Sequence, residues 1–112
     1  MYYTYMIRCD DNSIYTGMTS DIDRRIEEHF SKDKKAAKYT KSHNAIKLEA
    51  AWKCKEKSLA CSLEAYIKQL TKRQKEELIK NKILKEYFKG KIDCRRYRVW
   101  MKKEISYDKY KK

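Results

Sequence analysis

Near the start of the chain the apolar pattern changes period. Tyr2 to Arg8 is a run of aromatic and aliphatic residues, and Ile14 to Met18 is again β-prone. Between them lies Asp10-Asp11-Asn12-Ser13, a cluster of residues that stabilise turns by bonding their own backbone. This pattern predicts a β-hairpin. Past Thr19 the spacing becomes helical, with Ile22, Ile26, His29 and Phe30 on one stripe and Asp21 and Asp23 where the helix dipole favours negative charge. A helix is expected from about Asp21 to Phe30, with Ser20 as its cap.

Residues 33 to 46 are basic and weakly periodic and read as a short helix or ordered loop, while Ile46 to Cys54 alternates as a third strand carrying Trp52. From Ser58, taken as a cap, Leu59, Leu63, Ile67 and Leu70 keep helical spacing to about Thr71. A second helix is expected from about Lys72 to Lys89. Its inner face carries Leu78, Ile79, Ile83, Leu84, Tyr87 and Phe88, and Gly90 stands where a left-handed residue would end it. Arg95 to Met101 suits a short strand or docked arm, and the Lys- and Tyr-rich residues beyond it are expected to be mobile. The fold class is therefore α/β, a small, mostly antiparallel three-stranded sheet flanked by helices. Residues 1–89 would form the main unit and 90–112 a basic, aromatic extension.

At 112 residues and 41% apolar content the chain has room for one modest core. Its 29 basic against 16 acidic residues give a net charge of +13, which suits either a nucleic-acid binder or a disordered tail. The aromatic content decides between them: ten Tyr, two Trp and two Phe within periodic segments point to a folded domain with a basic surface. The charge is also unevenly spread. Residues 1–33 hold four basic and seven acidic side chains, the rest 25 and nine, so phosphate tracking should fall to the later helices and tail. Cys9, Cys54, Cys61 and Cys94 lack CxxC spacing and are expected to be reduced thiols rather than zinc ligands. With no signal-like start and no apolar run of the ~20 residues that span a bilayer, a soluble, intracellular protein is expected.

Gly17 is one of only two glycines and falls inside a predicted strand, where glycine costs entropy and packs nothing. Its use there calls for a bulge or a close approach, such as a phosphate beside a neighbouring tyrosine. Read onward, Tyr3-Thr4-Tyr5, Tyr15-Thr16-Gly17, Arg25, His29 and a helical Glu64 resemble the GIY-YIG nuclease family over residues 2 to about 80. Tyr15 to His29 and Leu59 to Leu78 look most like its small stand-alone branch.

The resemblance implies roles. Tyr15 would be the general base or its relay, needing nearby positive charge because a free phenol has a pKa of ~10. Glu64 would be the single protein carboxylate on a divalent metal, Mg2+ or Mn2+. Arg25, ten residues after Tyr15, is preferred to Arg24 for neutralising the phosphate, and Tyr5 and His29 would position water and phosphate oxygens. His43 and most other tyrosines read as structural. For Tyr5 and Tyr15 to share a sheet face, odd-numbered residues must pair with odd-numbered ones, so an odd-length loop or a bulge is expected between Cys9 and Ile14.

The implied activity is metal-dependent endonucleolytic hydrolysis of DNA, with single strands slightly preferred. Gly17, Lys72, Arg73, Lys75, Arg95, Arg96 and Arg98 are the candidate nucleic-acid contacts, with Tyr97 and Trp100 interleaved for base stacking. Residues Thr71 to Glu77 lack the Asn that the family commonly places after its metal-ligand helix; Asn81 comes late, and Lys75 is a substitute phosphate contact. A binding module without turnover and an RNA-directed nuclease remain alternatives.

Overall fold

The turn residues set the register of the whole sheet. The computed structural model describes residues 1–31, 43–100 and 105–106. Strands β1 (Tyr2–Cys9) and β2 (Ile14–Thr19) pair antiparallel, with Tyr5 opposite Gly17, Ile7 opposite Tyr15 and Arg8 opposite Ile14. The Cys9 amide donates to the Ser13 carbonyl at 2.9 Å, enclosing residues 10–12. Asn12 sits at φ 69°, the left-handed conformation that Asn tolerates and that a three-residue hairpin loop needs. The connection is odd in length as expected, and it keeps Tyr3, Tyr5, Ile7, Tyr15 and Gly17 on one face.

Strand β3 (Ala45–Cys54) pairs with the other side of β1, leaving β2 at the edge. Two short strands extend this three-stranded sheet beyond β3: β4 (Arg98–Val99), within the segment expected to be a strand or docked arm, and β5 (Ile105–Ser106). Helix α1 (Ile22–Ser31) covers the Tyr5 face through Ile22, Ile26 and Phe30, which meet Ile7, Leu48 and Ala51. The opposite face carries α2 (Lys57–Lys68), α3 (Lys72–Asn81) and α4 (Lys85–Phe88), whose Leu63, Ile67, Leu78 and Phe88 pack on Met6, Ala50 and Trp52. Burial on both faces explains why β1 reads as a nearly continuous apolar run. Among the described residues no helix is long and apolar enough to cross a membrane, and all four cysteines are free. The expected element in residues 33–46 lies mostly outside the described residues, as does most of the tail expected to be mobile.

Helix ends depart from the sequence expectation at Asp21, at Glu56 and at Lys82, while α3 begins at Lys72 as expected. Asp21, not Ser20, accepts the Arg24 amide at 3.2 Å and caps α1. Helix α2 starts one residue before Ser58, behind an extended Glu56 whose side chain makes no capping bond. Thr71 and Gln74 form a reciprocal capping box that starts α3. The single helix expected over 72–89 is broken at Lys82, at φ 57°, where Asn81 Oδ1 accepts the Ile83 amide at 2.8 Å. The apolar spacing hid this break because Leu84 and Phe88 of the following turn re-enter the same core. Gly90, at φ +83°, therefore follows the short α4. Tyr97, expected as a stacking surface, is buried and donates to the Leu59 carbonyl at 2.6 Å, so it belongs to the core.

Arg8 ties the hairpin to both neighbours, bonding Glu49 of β3 at 2.7 Å and Glu76 of α3 at 2.5 Å. Glu49 is only 4% exposed, so its charge depends on Arg8 and, at 3.5 Å, Lys47. Breaking such a pair by removing one member typically costs about 3–5 kcal/mol, against about 1 kcal/mol for a lost cap. Urea denaturation should therefore show Arg8→Met destabilising the fold more than Thr71→Ala; the reverse order would contradict this account of what anchors α3.

Candidate active site

The strand glycine is explained by a tyrosine ring. A Cβ on Gly17 would lie 2.6 Å from Tyr5 Oη, 2.8 Å from Tyr5 Cζ and 3.0 Å from Tyr15 Cε2. The close approach expected from the sequence is thus made by the Tyr5 ring, and neither a bulge nor a phosphate is needed to account for the glycine. Tyr5 is 1% exposed, and its hydroxyl lies 2.7 Å from Nε2 of His29, itself fully buried on the inner stripe of α1. The Tyr15 ring completes the group, 6.3 Å from Tyr5 and 5.3 Å from His29 between centroids.

Arg25, one turn before His29, bonds Glu28 at 2.9 Å, and its charge opposes the burial that raises the phenols of Tyr5 and Tyr15. Arg24 is exposed and pairs at 3.9 Å with Asp21, so of the two arginines it is Arg25 that acts on the phenols. Glu64 comes from α2 in the opposite layer, and its charge acts on both phenols. The structure therefore brings Tyr5, Tyr15, Gly17, Arg25, His29 and Glu64 into one neighbourhood.

The GIY-YIG catalytic domain profile matches residues 1–77. The chain belongs to the GIY-YIG family. It is 53% identical over 78 residues to UPF0213 protein FN1575 of Fusobacterium nucleatum, covering 70% of this chain and 76% of that one. It is 44% identical over 78 residues to UPF0213 protein YhbQ of Salmonella typhimurium, again covering 70% and 76%. The solution NMR structure of UPF0213 protein BH0048 from Bacillus halodurans matches at 41% identity and a TM-score of 0.47, covering 71% of this chain and 84% of that chain.

The electrostatics of this GIY-YIG site favour neutral phenols and a neutral imidazole. Burial raises the Tyr5 hydroxyl well above its ordinary range, Tyr15 adds to the rise, and Arg25 opposes it. Burial raises Tyr15 too, and the expected lowering by Arg25 is present but outweighed. Burial, followed by the charge of Arg25, lowers His29 to about 4. Among the described residues no cluster of three or more His, Cys, Asp or Glu exists, so a tetrahedral zinc-type site is not built. A single partly exposed carboxylate, Glu64, with Lys68 at 3.8 Å, suits a hard cation that keeps most of its waters.

The candidate phosphate contacts divide into two groups. Lys75 is half-buried, and its pKa is lowered by burial and then by Lys72 and Lys68, so these three cations lie near one another, with Lys68 3.8 Å from Glu64. Lys72 also bonds the Asn12 carbonyl at the hairpin turn and pairs with Glu76 at 3.0 Å, while Arg73 is engaged by Glu77 at 3.3 Å. Arg95, Arg96 and Arg98 instead line a separate cleft. His43 pairs with Asp11 at 2.7 Å in the turn region, and Asn81 closes a helix, so neither joins the site. Glu28 and Lys68 were missed in the sequence, although their spacings from Arg25 (i,i+3) and Glu64 (i,i+4) are those of helix-face ion pairs.

Two outcomes follow from this geometry. Gly17→Ala should destabilise by about 1–3 kcal/mol, the usual range for overpacking, and separate Tyr5 from His29; unchanged stability and an unchanged His29 ring NMR spectrum would contradict the close packing. His29 is lowered from 6.5 to about 4 in the fold, so above pH 6.5 it is neutral folded or unfolded. As pH falls through that window the unfolded chain takes up the proton first and stability is lost, by on the order of 3 kcal/mol. Urea midpoints should fall less over this window for His29→Gln than for the wild type; parallel curves would show that His29 is not held neutral.

Proposed function

We propose that the protein is a metal-dependent endonuclease that hydrolyses phosphodiester bonds in DNA, with single strands preferred. The observation that carries this reading is the joint placement of Tyr5, Tyr15, Arg25, His29 and Glu64 around Gly17, with Lys68, Lys72 and Lys75 alongside.

Arg25, held by Glu28, would offer its planar fork to the scissile phosphate and oppose the charge that grows there in the transition state. Glu64 would hold the divalent cation, and Mg2+ or Mn2+ bound there supplies positive charge against the phosphate oxygens. Tyr15 is too weak an acid to stand as a free phenolate at neutral pH. It would accept a hydrogen bond from the attacking water and orient it, with neutral Tyr5 and His29 packed beside its ring. The proton released on attack would leave to a phosphate oxygen or solvent rather than to His29, whose surroundings keep it neutral. Lys68, Lys72 and Lys75 would track neighbouring phosphates.

A second reading, a nucleic-acid-binding module that does not turn over, is favoured by one observation: Asn81, the late candidate for the family's Asn, is spent on a helix end. Labelled single-stranded DNA, duplex DNA and RNA incubated with and without Mg2+ separate the readings. The nuclease reading predicts Mg2+-dependent cleavage of single-stranded DNA, lowered at least ~10²-fold in Tyr15→Phe and Glu64→Ala with strand binding retained. Binding by the wild type without such cleavage selects the module, and preferential cleavage of RNA overturns the DNA assignment. Affinity should also fall steeply with salt as counterions are released; a flat response would contradict the basic-surface reading.

A further inference from the structure

Away from Glu64, at the end of the sheet where β3 runs towards α2, a cleft of about 320 Å3 is lined by Lys53, Lys55, Arg95, Arg96 and Arg98, with Leu59 also on its wall. Two carboxylates lie on its rim: Asp93 engages Arg95 at 3.0 Å and Glu56 engages Arg96 at 3.0 Å. Lys53, Lys55 and Arg98 have no carboxylate partner among the described residues.

Lys53 and Arg98 are directly opposite each other across the β3–β4 ladder. Like charges in that position repel and destabilise a sheet, so this pairing works against the fold unless an anion lies between them. Helix α2 begins beside the same cleft, and the Glu56 carboxylate is turned to Arg96 rather than to the amides of the first turn. Those amides add to the positive field there.

A row of side chains crosses the sheet from the cleft on the face that carries the candidate active site. Tyr3 is opposite Thr19 in β2 and Lys53 in β3, and Lys53 is opposite Arg98, so these four side chains form one row on the Tyr5 face. Trp100, whose amide donates to the Ala51 carbonyl at 3.0 Å, meets Tyr3 edge-on at 5.9 Å on that same face. Both rings are half-buried, leaving part of each open for a base to stack on. From Tyr15 to Arg98 is three strand spacings across and four residues along, roughly 20 Å, a span of a few nucleotides.

We propose that the Lys53–Arg98 cleft is a second phosphate-binding site that holds the backbone of the nucleic-acid strand a few nucleotides from the scissile bond, with the Tyr3–Trp100 pair stacking a base between the two sites. It rests on the nuclease reading for the identity of the strand but not on turnover. The cleft sets a minimum strand length for tight binding and gives the chain a grip on substrate that does not involve Glu64.

The test compares wild type with the double variant Lys53→Ala/Arg98→Ala, both positions lying outside the core. Circular dichroism and the urea midpoint check that the variant folds. Fluorescence anisotropy without divalent metal measures binding of labelled single strands of about four and about 16 nucleotides across a salt series. The proposal expects the wild type to bind the longer strand much more tightly, and the variant to lose most of that advantage. The slope of log affinity against log salt should shrink by about one to two for the longer strand, with the shorter strand bound equally by both proteins. In the presence of Mg2+ the variant should raise KM for the longer strand and leave kcat unchanged. Equal length dependence and equal salt slope in a folded variant overturn the cleft and leave the nuclease reading standing. Loss of the length advantage in the variant, beside a wild type that does not cleave, keeps the cleft and overturns the nuclease reading. No binding of either strand by the wild type overturns both.

Discussion

The pairing of Tyr5 with Gly17 governs where everything else in the site can stand. Because residue 17 has no side chain, the Tyr5 ring can lie across β2, reach His29 at 2.7 Å and leave Tyr15 beside it. Any Cβ at that position would occupy the ring's space. The pairing in turn depends on the odd-length connection through Asn12, since a one-residue slip would send Tyr15 to the opposite face, among Met6, Leu63 and Ile67. A turn thus sets the parity of the strands, and that parity assembles the tyrosines.

Chemistry and charge are divided along the chain, and the division makes physical sense. The hairpin and α1 contribute buried, largely neutral groups whose proton affinities are set by desolvation, while the excess positive charge comes from residues after 33. Concentrating cations around the phenols would hold an anionic strand tightly without favouring its reaction. In the proposed reaction, Arg25 would keep its donors for charge that develops in the transition state. Lys68, Lys72 and Lys75, and the Lys53–Arg98 cleft beyond, would supply attraction that does not need to change during the reaction.

Much of this was legible in the sequence, for identifiable reasons. The hairpin and the inner stripe of α1 rest on strict periods of two and 3.6, which survive tertiary packing, while the odd-length turn and the choice of Arg25 followed from the resemblance to the GIY-YIG family. The misreadings fall where local chemistry overrode period. Lys82 adopts a left-handed conformation that nothing in its residue type announces, and the apolar spacing continued across the break. Ser20 and Ser58 are good caps by type, yet Asp21 and Glu56 occupy the starts of their helices. Tyr97 looked like a surface aromatic among arginines, but its hydroxyl finds the Leu59 carbonyl and its ring the core. Arg95, Arg96 and Arg98 were readable as phosphate contacts, but the part of Lys53 in their cleft was not, because Lys53 and Arg98 become neighbours only when β4 docks on β3.

The central claim is that Tyr15 and Glu64, one from each layer of the fold, serve a single reaction centre. A double-mutant cycle on Mg2+-dependent cleavage of single-stranded DNA, using Tyr15→Phe, Glu64→Gln and the pair together, tests it most directly. The account predicts strongly non-additive losses, with the double variant little slower than the slower single one, because either change alone disables the shared step. Losses that multiply independently would contradict it.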